Sequence, residues 1–410
     1  MVDTIVQKFE DMSGAILSRN YKCKILGLGE WKNKNDWPLT YVKTVKELKL
    51  FGIYVQNSYH SMLKRNWEFR FGKFATCVQS WSSRSLPSLS SSIEVLRTFA
   101  LSRVFYVASI LPIKKTMVKR FESIIGKFIW NSGGWLLRVA LEDIKNPRNK
   151  GGLNLVCLQS MSNSLLLSQL FRLLRSSDDR SKAHIGFWIE SGPSSNVVPD
   201  YYADIEFLII EGQMDDLVTV SEWKLLTNKI IYRRMIENID PPRIEIEAGI
   251  SFKNVWQNIS QPVLSSSAAD ISFLLVHNKL PVGERLFRVG VKIDPYCDFC
   301  PGAQFCDVEH FFCSCSRVDT VWSWVKDKVL ILVGETVENS DLVRFILPAC
   351  SAMKEVVWLL GIYFEKTWKD LHLHGYERLN ADEFFGYLKF KYKADQLGAR
   401  HSLEYIPGLL

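Results

Sequence analysis

Four residues constrain this chain more than any others: Cys297 and Cys300, two residues apart, then His310 and Cys315, with four residues between them. Zinc takes four soft or borderline donors in a tetrahedron, and a C-x2-C turn presents two thiolates from one tight knuckle. The spacing C-x2-C…H-x4-C therefore predicts a structural zinc site whose four positions are all filled by protein. Five of the nine cysteines fall between positions 297 and 315. A secreted disulfide scaffold would be short and would spread its cysteines along the chain, so reduced thiols and a metal are the better reading. Cys306 and Cys313 lie in the same stretch and stand as alternatives to a neighbouring ligand.

The chain is long enough for two or three domains, and its 13 Trp, 14 Tyr and 24 Phe supply real hydrophobic cores. No apolar stretch approaches the ~18 residues that cross a bilayer. The first 30 residues lack the charged start, apolar run and small-residue cleavage site of a signal peptide. An intracellular protein of the nucleus, the cytoplasm or both is expected, with no membrane partner. The net charge of +7 hides an asymmetry: residues 1–150 hold 25 Lys/Arg against 11 Asp/Glu, and the remainder 26 against 33. A basic front half suits a polyanion, because each neutralised phosphate releases condensed counterions.

Periodicity predicts a mainly helical chain with a little β structure at the front. Residues 3–12 suit a short helix, 24–29 a strand, and 48–55 a β-rich run in which Gly52 marks a bulge or a close backbone approach. Trp67, Phe71, Phe74, Val78 and Trp81 recur at spacings of three and four and form one apolar stripe. Ser88 to Ser92 supply caps for a second apolar run over 93–111. After Pro112, a third helix sets Ile113, Met117, Phe121, Ile124, Ile125 and Phe128 on one face. Lys114, Lys115, Lys119, Arg120 and Lys127 fall mostly on its other sides, where they can meet a phosphate backbone. Gly133-Gly134 closes that helix, and Asn149 to Gly152 form a turn before a fourth over 160–175. Residues 176–200 read as a linker. Further helices are expected over 221–238, 252–259, 269–276, 282–289, 318–333 and 353–371. The aromatic stripe of Trp358, Tyr363, Phe364 and Trp368 reads as core packing.

Several motifs occur in an order that resembles the reverse transcriptases of LINE-type (non-LTR) retrotransposons. The zinc-binding module of that family opens on a Trp, continues through an aliphatic helix and an arginine-containing stretch, and ends in C-x2-C, E-H-x4-C and a Trp. Here Trp256, Phe273 to Leu280, Glu284-Arg285-Leu286, Cys297, Cys300, Glu309-His310, Cys315 and Trp322 match it. Upstream, Ser13-Gly14, Lys24 to Gly27 and Phe51-Gly52-Ile53 resemble the end of the palm and a primer-gripping strand. Trp81 to Arg84, Tyr106 to Pro112, Phe128-Ile129-Trp130 and Gly151-Gly152-Leu153-Asn154-Leu155 resemble the helical thumb.

The resemblance implies the end of a palm over 1–60 with Phe51, Gly52 and Ile53 in a primer-grip-like position. It also implies a thumb over 61–175, a connection over 176–250, a zinc module over 251–325 and a helical tail over 326–410. The implied partners are RNA, DNA or their hybrid, together with the rest of the retrotransposon protein. The family polymerises DNA with paired aspartates that hold two metals. Those aspartates lie upstream of the Ser-Gly turn where this chain begins, so no catalytic residue is assigned and Mg enters only with a supplied palm. Tyr201-Tyr202-Ala203-Asp204 and Met214-Asp215-Asp216 imitate the catalytic box but follow the thumb, and both read as acidic turns. The competing reading is a degenerate or co-opted zinc-stabilised scaffold without a nucleic-acid role.

Overall fold

The computed structural model describes residues 2–14, 23–35, 37, 42–84, 86–130, 139–175, 226–237, 239–249, 251–375 and 377–397, with isolated positions between 177 and 204. The Gly133-Gly134 stop, most of the 176–200 linker, Tyr202, Ala203 and the Met214 to Asp216 run lie outside the described residues. The chain is mainly helical, as its periodicity predicts. Helix α1 is Val2–Ser13, followed by β1 Cys23–Ile25, β2 Val42–Thr44, β3 Glu47–Leu50 and β4 Ile53–Gln56. Helices α2 Tyr59–Ser82, α3 Leu89–Val95, α4 Ser102–Ala108, α5 Lys115–Ile129, α6 Leu141–Lys145 and α7 Leu158–Leu174 come next. Then follow α8 Asn228–Glu237, α9 Arg243–Ala248, α10 Lys253–Ile259, α11 Ser266–Val276 and α12 Gly283–Arg288. The last are α13 Asp319–Val333, α14 Asn339–Val343, α15 Met353–Trp368 and α16 Ala381–Leu397.

The chain divides into two compact units. The first comprises residues 1–76, 101–119 and 158–235. Its strands form two pairs: β1 runs parallel to β2, and β3 runs antiparallel to β4 with Leu50 opposite Ile53. That register leaves Phe51 and Gly52 as a two-residue turn, with φ of +46° and +84°. Positive φ at both central positions is what a type I′ hairpin turn requires. Gly52 is thus a turn residue, where the sequence suggested a bulge or a close approach. The hairpin is fastened to α2 by Asn66, which is 1% exposed. Its side chain accepts from the Tyr54 amide at 2.9 Å and donates to the Tyr54 carbonyl at 2.7 Å. Trp67 donates to the Pro112 carbonyl at 2.8 Å. Leu166, Leu167, Leu170 and Phe171 of α7 form a core with Leu226 and Ile231.

The second unit comprises residues 77–100, 120–157 and 236–410. Ser88 caps α3 as expected, its hydroxyl accepting from the Ser91 amide at 3.0 Å. The predicted 93–111 helix is interrupted by a π turn over Leu96–Leu101. Periodicity alone does not reveal such a turn, because the apolar stripe continues through it. Asn149 to Gly152 do form a turn, with Gly151 at φ +80°.

Asp270 of α11 accepts from the Leu89 amide at 2.6 Å. Burial pushes its pKa up to about 7, with that hydrogen bond and Arg148 pulling the other way. A pKa raised above the unfolded value favours the protonated, folded state. This contribution to stability is therefore complete below about pH 4 and is lost as pH rises through about 7. Asp270→Asn keeps an acceptor for Leu89 and removes the buried charge. It is expected to stabilise the chain at pH 8 by about 1–2 kcal/mol and to change little at about pH 4. Thermal melts at the two pH values check this, and a lower Tm at pH 8 would contradict it.

Candidate metal centre

The Cys297/Cys300 knuckle is a small hairpin. The Cys297 amide donates to the Gln304 carbonyl at 2.8 Å and the Cys306 amide to the Pro295 carbonyl at 2.9 Å. Tyr296 and Phe305 bridge between these bonds. Gly302 and Ala303 turn the chain at φ +81° and +50°. His310 opens a π turn over His310–Ser314, and the Cys315 amide closes it on the His310 carbonyl at 2.8 Å. That wide turn, rather than a regular helix, brings His310 and Cys315 to the same place across four intervening residues. Asp307 fixes its start by accepting from the His310 amide at 2.7 Å.

The donor atoms of Cys297, Cys300, His310 and Cys315 all lie within 4.8 Å of one another. The Cys315 sulfur is 3.8 Å from that of Cys297 and 3.6 Å from that of Cys300. A tetrahedron with Zn–S of ~2.3 Å has an edge of ~3.8 Å. His310 Nε2 is buried and has no hydrogen-bond partner among the described residues. An orphaned imidazole nitrogen beside three thiols is the donor set a structural zinc ion takes.

Local electrostatics agree. Burial lowers the His310 pKa, which keeps the ring in its neutral, ligating form near pH 7. Burial opposes ionisation of Cys300, yet hydrogen bonds from the Ser316 hydroxyl and amide outweigh it and bring its pKa below the usual thiol value. The Ser316 amide lies 3.3 Å from the Cys300 sulfur. Burial raises Cys315, the innermost of the three thiols.

Cys306 and Cys313 do not join the set of four donors. Cys306 packs on Gly283, where an added Cβ would come within 2.7 Å of its own Cβ. Burial pushes its thiol up to about 11, and pushes Cys313 well above the ordinary range. Both behave as small apolar core residues.

Residues beyond 325 form a wall of this module, a role their sequence does not disclose. Phe312 is fully buried, with its ring 5.2 Å from Phe364. Tyr363 donates its hydroxyl to the Phe312 carbonyl. Trp322 lies 5.1 Å from Tyr363. Arg317 stacks 3.7 Å from the centre of the Phe299 ring and donates to the Glu377 carbonyl at 2.7 Å. Trp358, Tyr363, Phe364 and Trp368 are all core residues, as the aromatic stripe suggested.

Among the other sequence candidates, Lys114, Lys115, Lys119, Arg120 and Lys127 are all exposed. The last four lie on α5, whose opposite face buries Val118, Phe121, Ile125 and Phe128. Lys114 Nζ sits 3.5 Å from His60 Nδ1. Phe51 is 92% exposed at the hairpin tip, while Ile53 is buried. Sequence reasoning passed over Asp307 and Ser316, which shape the metal centre. An acid three residues before the ligand His, and a Ser directly after the last Cys, were the available signals.

Geometry and donor set together define a compact four-donor zinc module. Residues 222–322 match the family model described as zinc-binding in reverse transcriptase, which spans α8 through Trp322 and contains all four donors. The chain is related to reverse transcriptases through this zinc-binding region. No curated protein matches it. Among the described residues, no helix is long and apolar enough to cross a membrane.

Proposed function

We propose that this chain is the C-terminal part of a LINE-type (non-LTR) retrotransposon reverse transcriptase, which holds nucleic acid beside a structural zinc. One observation carries the reading: the four-donor cluster of Cys297, Cys300, His310 and Cys315 stands inside the region that matches the reverse-transcriptase zinc-binding family. Zinc held there would fix the knuckle against the helical wall and do no chemistry on a substrate, because no coordination position is left open.

The motif order upstream supports a thumb role for α5. Its exposed Lys114, Lys115, Lys119, Arg120 and Lys127 would grip the backbone of a template–primer duplex, RNA, DNA or their hybrid, without reading its sequence. The hairpin tip of Phe51 and Gly52 would act as a primer grip. Polymerisation would require the palm carboxylates and their Mg ions from elsewhere in the retrotransposon protein, and the working compartment would be nucleus or cytoplasm.

The test is binding of the purified chain to a fluorescent RNA–DNA hybrid across a salt series, with metal content measured alongside. Reversing Lys114, Lys119 and Lys127 to Glu is expected to reduce the slope of log K against log salt by about 2.7, at ~0.9 per phosphate contact. An absence of binding at low salt, with zinc present, would sink the reading. It would favour a zinc-stabilised scaffold, for which the exposed Val291, Ile293, Tyr296, Phe299 and Phe305 around the knuckle offer an apolar protein contact.

A further inference from the structure

A cavity of about 650 Å³ lies within the second unit, bordered by α5, the start of α6, α9 and the end of α11. That volume is in the range of small-molecule sites. The way those helices begin and end sets its lining. Helix α11 stops in a Schellman turn: the Asn278 amide donates to the Leu275 carbonyl at 2.9 Å, and the Lys279 amide to the Leu274 carbonyl at 2.8 Å. Asn278 takes the left-handed position at φ +51°, which its short polar side chain tolerates. The turn thereby fixes the backbone of Lys279 at the cavity wall, where the residue is half-buried. Helix α9 starts after Pro242, and the Arg243 amide is tied to the Asp143 carboxylate at 3.3 Å. Lys127 joins from the exposed side of α5.

Lys127, Arg243 and Lys279 all line the cavity, and among the described residues their side chains make no hydrogen bond or ion pair. Two other lining charges are already answered. Glu122 pairs with Lys145 at 2.6 Å, and Arg288 pairs with Glu284. The remaining carboxylates are the exposed Glu247 and Asp143, which is 7% exposed. Three unpaired cations against these two leave a positive surplus on the wall. Among the described residues Asp143 accepts only from the Arg243 amide, so its carboxylate keeps lone pairs for another donor. Burial raises the Asp143 pKa and lowers that of Lys279, which Arg285 lowers further. An ammonium opposed by burial and by a neighbouring guanidinium is relieved by an incoming anion. Trp130, Val139 and Leu141 supply an apolar side. Convergent polar groups with perturbed pKa values in one cavity are the pattern of a ligand site.

We propose that this cavity binds a small phosphorylated polyol, with Lys127, Arg243 and Lys279 on the phosphate and Asp143 accepting from a hydroxyl. A phosphomonoester offers charge and acceptor oxygens to the guanidinium fork and the two ammonium groups. Its hydroxyls offer the donors that a buried carboxylate needs. The inference is independent of the nucleic-acid reading, since it concerns an enclosed small molecule and shares only Lys127 with the strand contact suggested for α5. A ligand held there would tie α5, α9 and α11 together and stabilise the folded chain by mass action.

The test is isothermal titration calorimetry of the full, zinc-loaded chain with glucose 6-phosphate, inorganic phosphate and glucose. Glucose 6-phosphate is expected to bind and to raise Tm, inorganic phosphate to bind more weakly, and glucose to give no heat. Lys279→Gln and Arg243→Gln should each weaken glucose 6-phosphate about tenfold, the worth of one charge-assisted hydrogen bond. They lie on separate helices, so the test stays decisive if one variant fails to fold. Asp143→Asn keeps an acceptor for the Arg243 amide, and it should weaken glucose 6-phosphate while sparing inorganic phosphate. Lys253→Gln, exposed and outside the cavity, should change nothing. No heat from either phosphate at millimolar concentration would overturn the site. Equal losses in Lys253→Gln would do the same by tracing binding to diffuse surface charge. A labelled RNA–DNA hybrid that displaces glucose 6-phosphate and is itself weakened by both Lys279→Gln and Arg243→Gln would assign these cations to a strand and overturn the proposal.

Discussion

Replacing Cys315 with serine is expected to take bound zinc from about one ion per chain to almost none, and to unfold the knuckle while the helical wall stays folded. The Cys315 sulfur lies within 3.8 Å of both other thiols, so its loss removes a donor packed directly against both and leaves only three of the four. Serine oxygen is a harder donor that stays protonated near neutral pH, and zinc prefers thiolate. Without the ion, the 295–306 hairpin is left with a few backbone bonds and mostly exposed residues, among them Asp298, Phe299, Pro301, Gly302, Ala303 and Gln304. That is too little burial to offset the entropy of ordering the loop. The packing of Phe312, Trp322, Tyr363 and Phe364 does not depend on the metal in the same way. A fall in Tm of roughly 10 °C is expected, with fast hydrogen exchange confined to the knuckle. A strong chelator should reproduce the effect on the wild type and have no further effect on the variant. Cys306→Ser is the control, because Cys306 stands outside the donor set. Retained zinc in Cys315→Ser together with lost zinc in Cys306→Ser would reassign the fourth ligand.

The metal centre was the most legible part of the sequence because its constraint is local. Ligand spacing within about twenty residues specifies a knuckle almost independently of what packs around it. Choosing Cys315 over Cys313 is a different matter. That choice depends on the π turn at His310, which turns Cys313 into the core and Cys315 toward the other donors. The helices were legible for a similar reason: stripes such as Trp67, Phe74 and Val78 do bury one face. What stayed hidden depends on partners distant in sequence. Nothing in residues 353–373 says that Tyr363 caps the carbonyl of Phe312. Short elements such as Arg243–Ala248 and Asn339–Val343 are too brief to carry a period. The cations around Tyr54 and Phe69 come from a strand and a helix, and only the fold brings them together.

The Gly-Gly-Leu turn shows how a motif read from sequence acquires a mechanical meaning, and Gly152→Ala is expected to cost about 3–5 kcal/mol. A Cβ at position 152 would lie 2.0 Å from the Asn146 carbonyl oxygen and 2.5 Å from its carbon, which are backbone atoms that cannot rotate aside. That carbonyl is also committed, since it accepts from the Asn154 amide at 2.9 Å. The Ile144 carbonyl likewise accepts from Leu153 and Leu155 at 3.0 and 3.1 Å. Moving residue 146 would therefore break the loop's own hydrogen bonds. The neighbouring Gly151 is restricted in two ways. Its φ of +80° disfavours any L side chain. A Cβ there would also meet Pro242 and Trp256 at 2.6 Å. Its carbonyl accepts from His277 Nε2 at 3.0 Å, and the imidazole stacks on Trp256. Burial lowers the His277 pKa to about 4, so the ring donates this bond as a neutral tautomer at physiological pH. The turn thus seats the Trp and the His of the reverse-transcriptase-like zinc region at once, and damage to it should spread into α10 and α11. Gly126→Ala provides the contrast. Its Cβ would make ordinary contact with Leu141 at 3.6 Å inside α5, and it should stabilise by about 0.5–1 kcal/mol. Urea denaturation of the three proteins, followed by Trp fluorescence, separates these signs. A Gly152→Ala midpoint within about 1 kcal/mol of wild type would mean that the turn has room the structure does not show, and the steric account would fall.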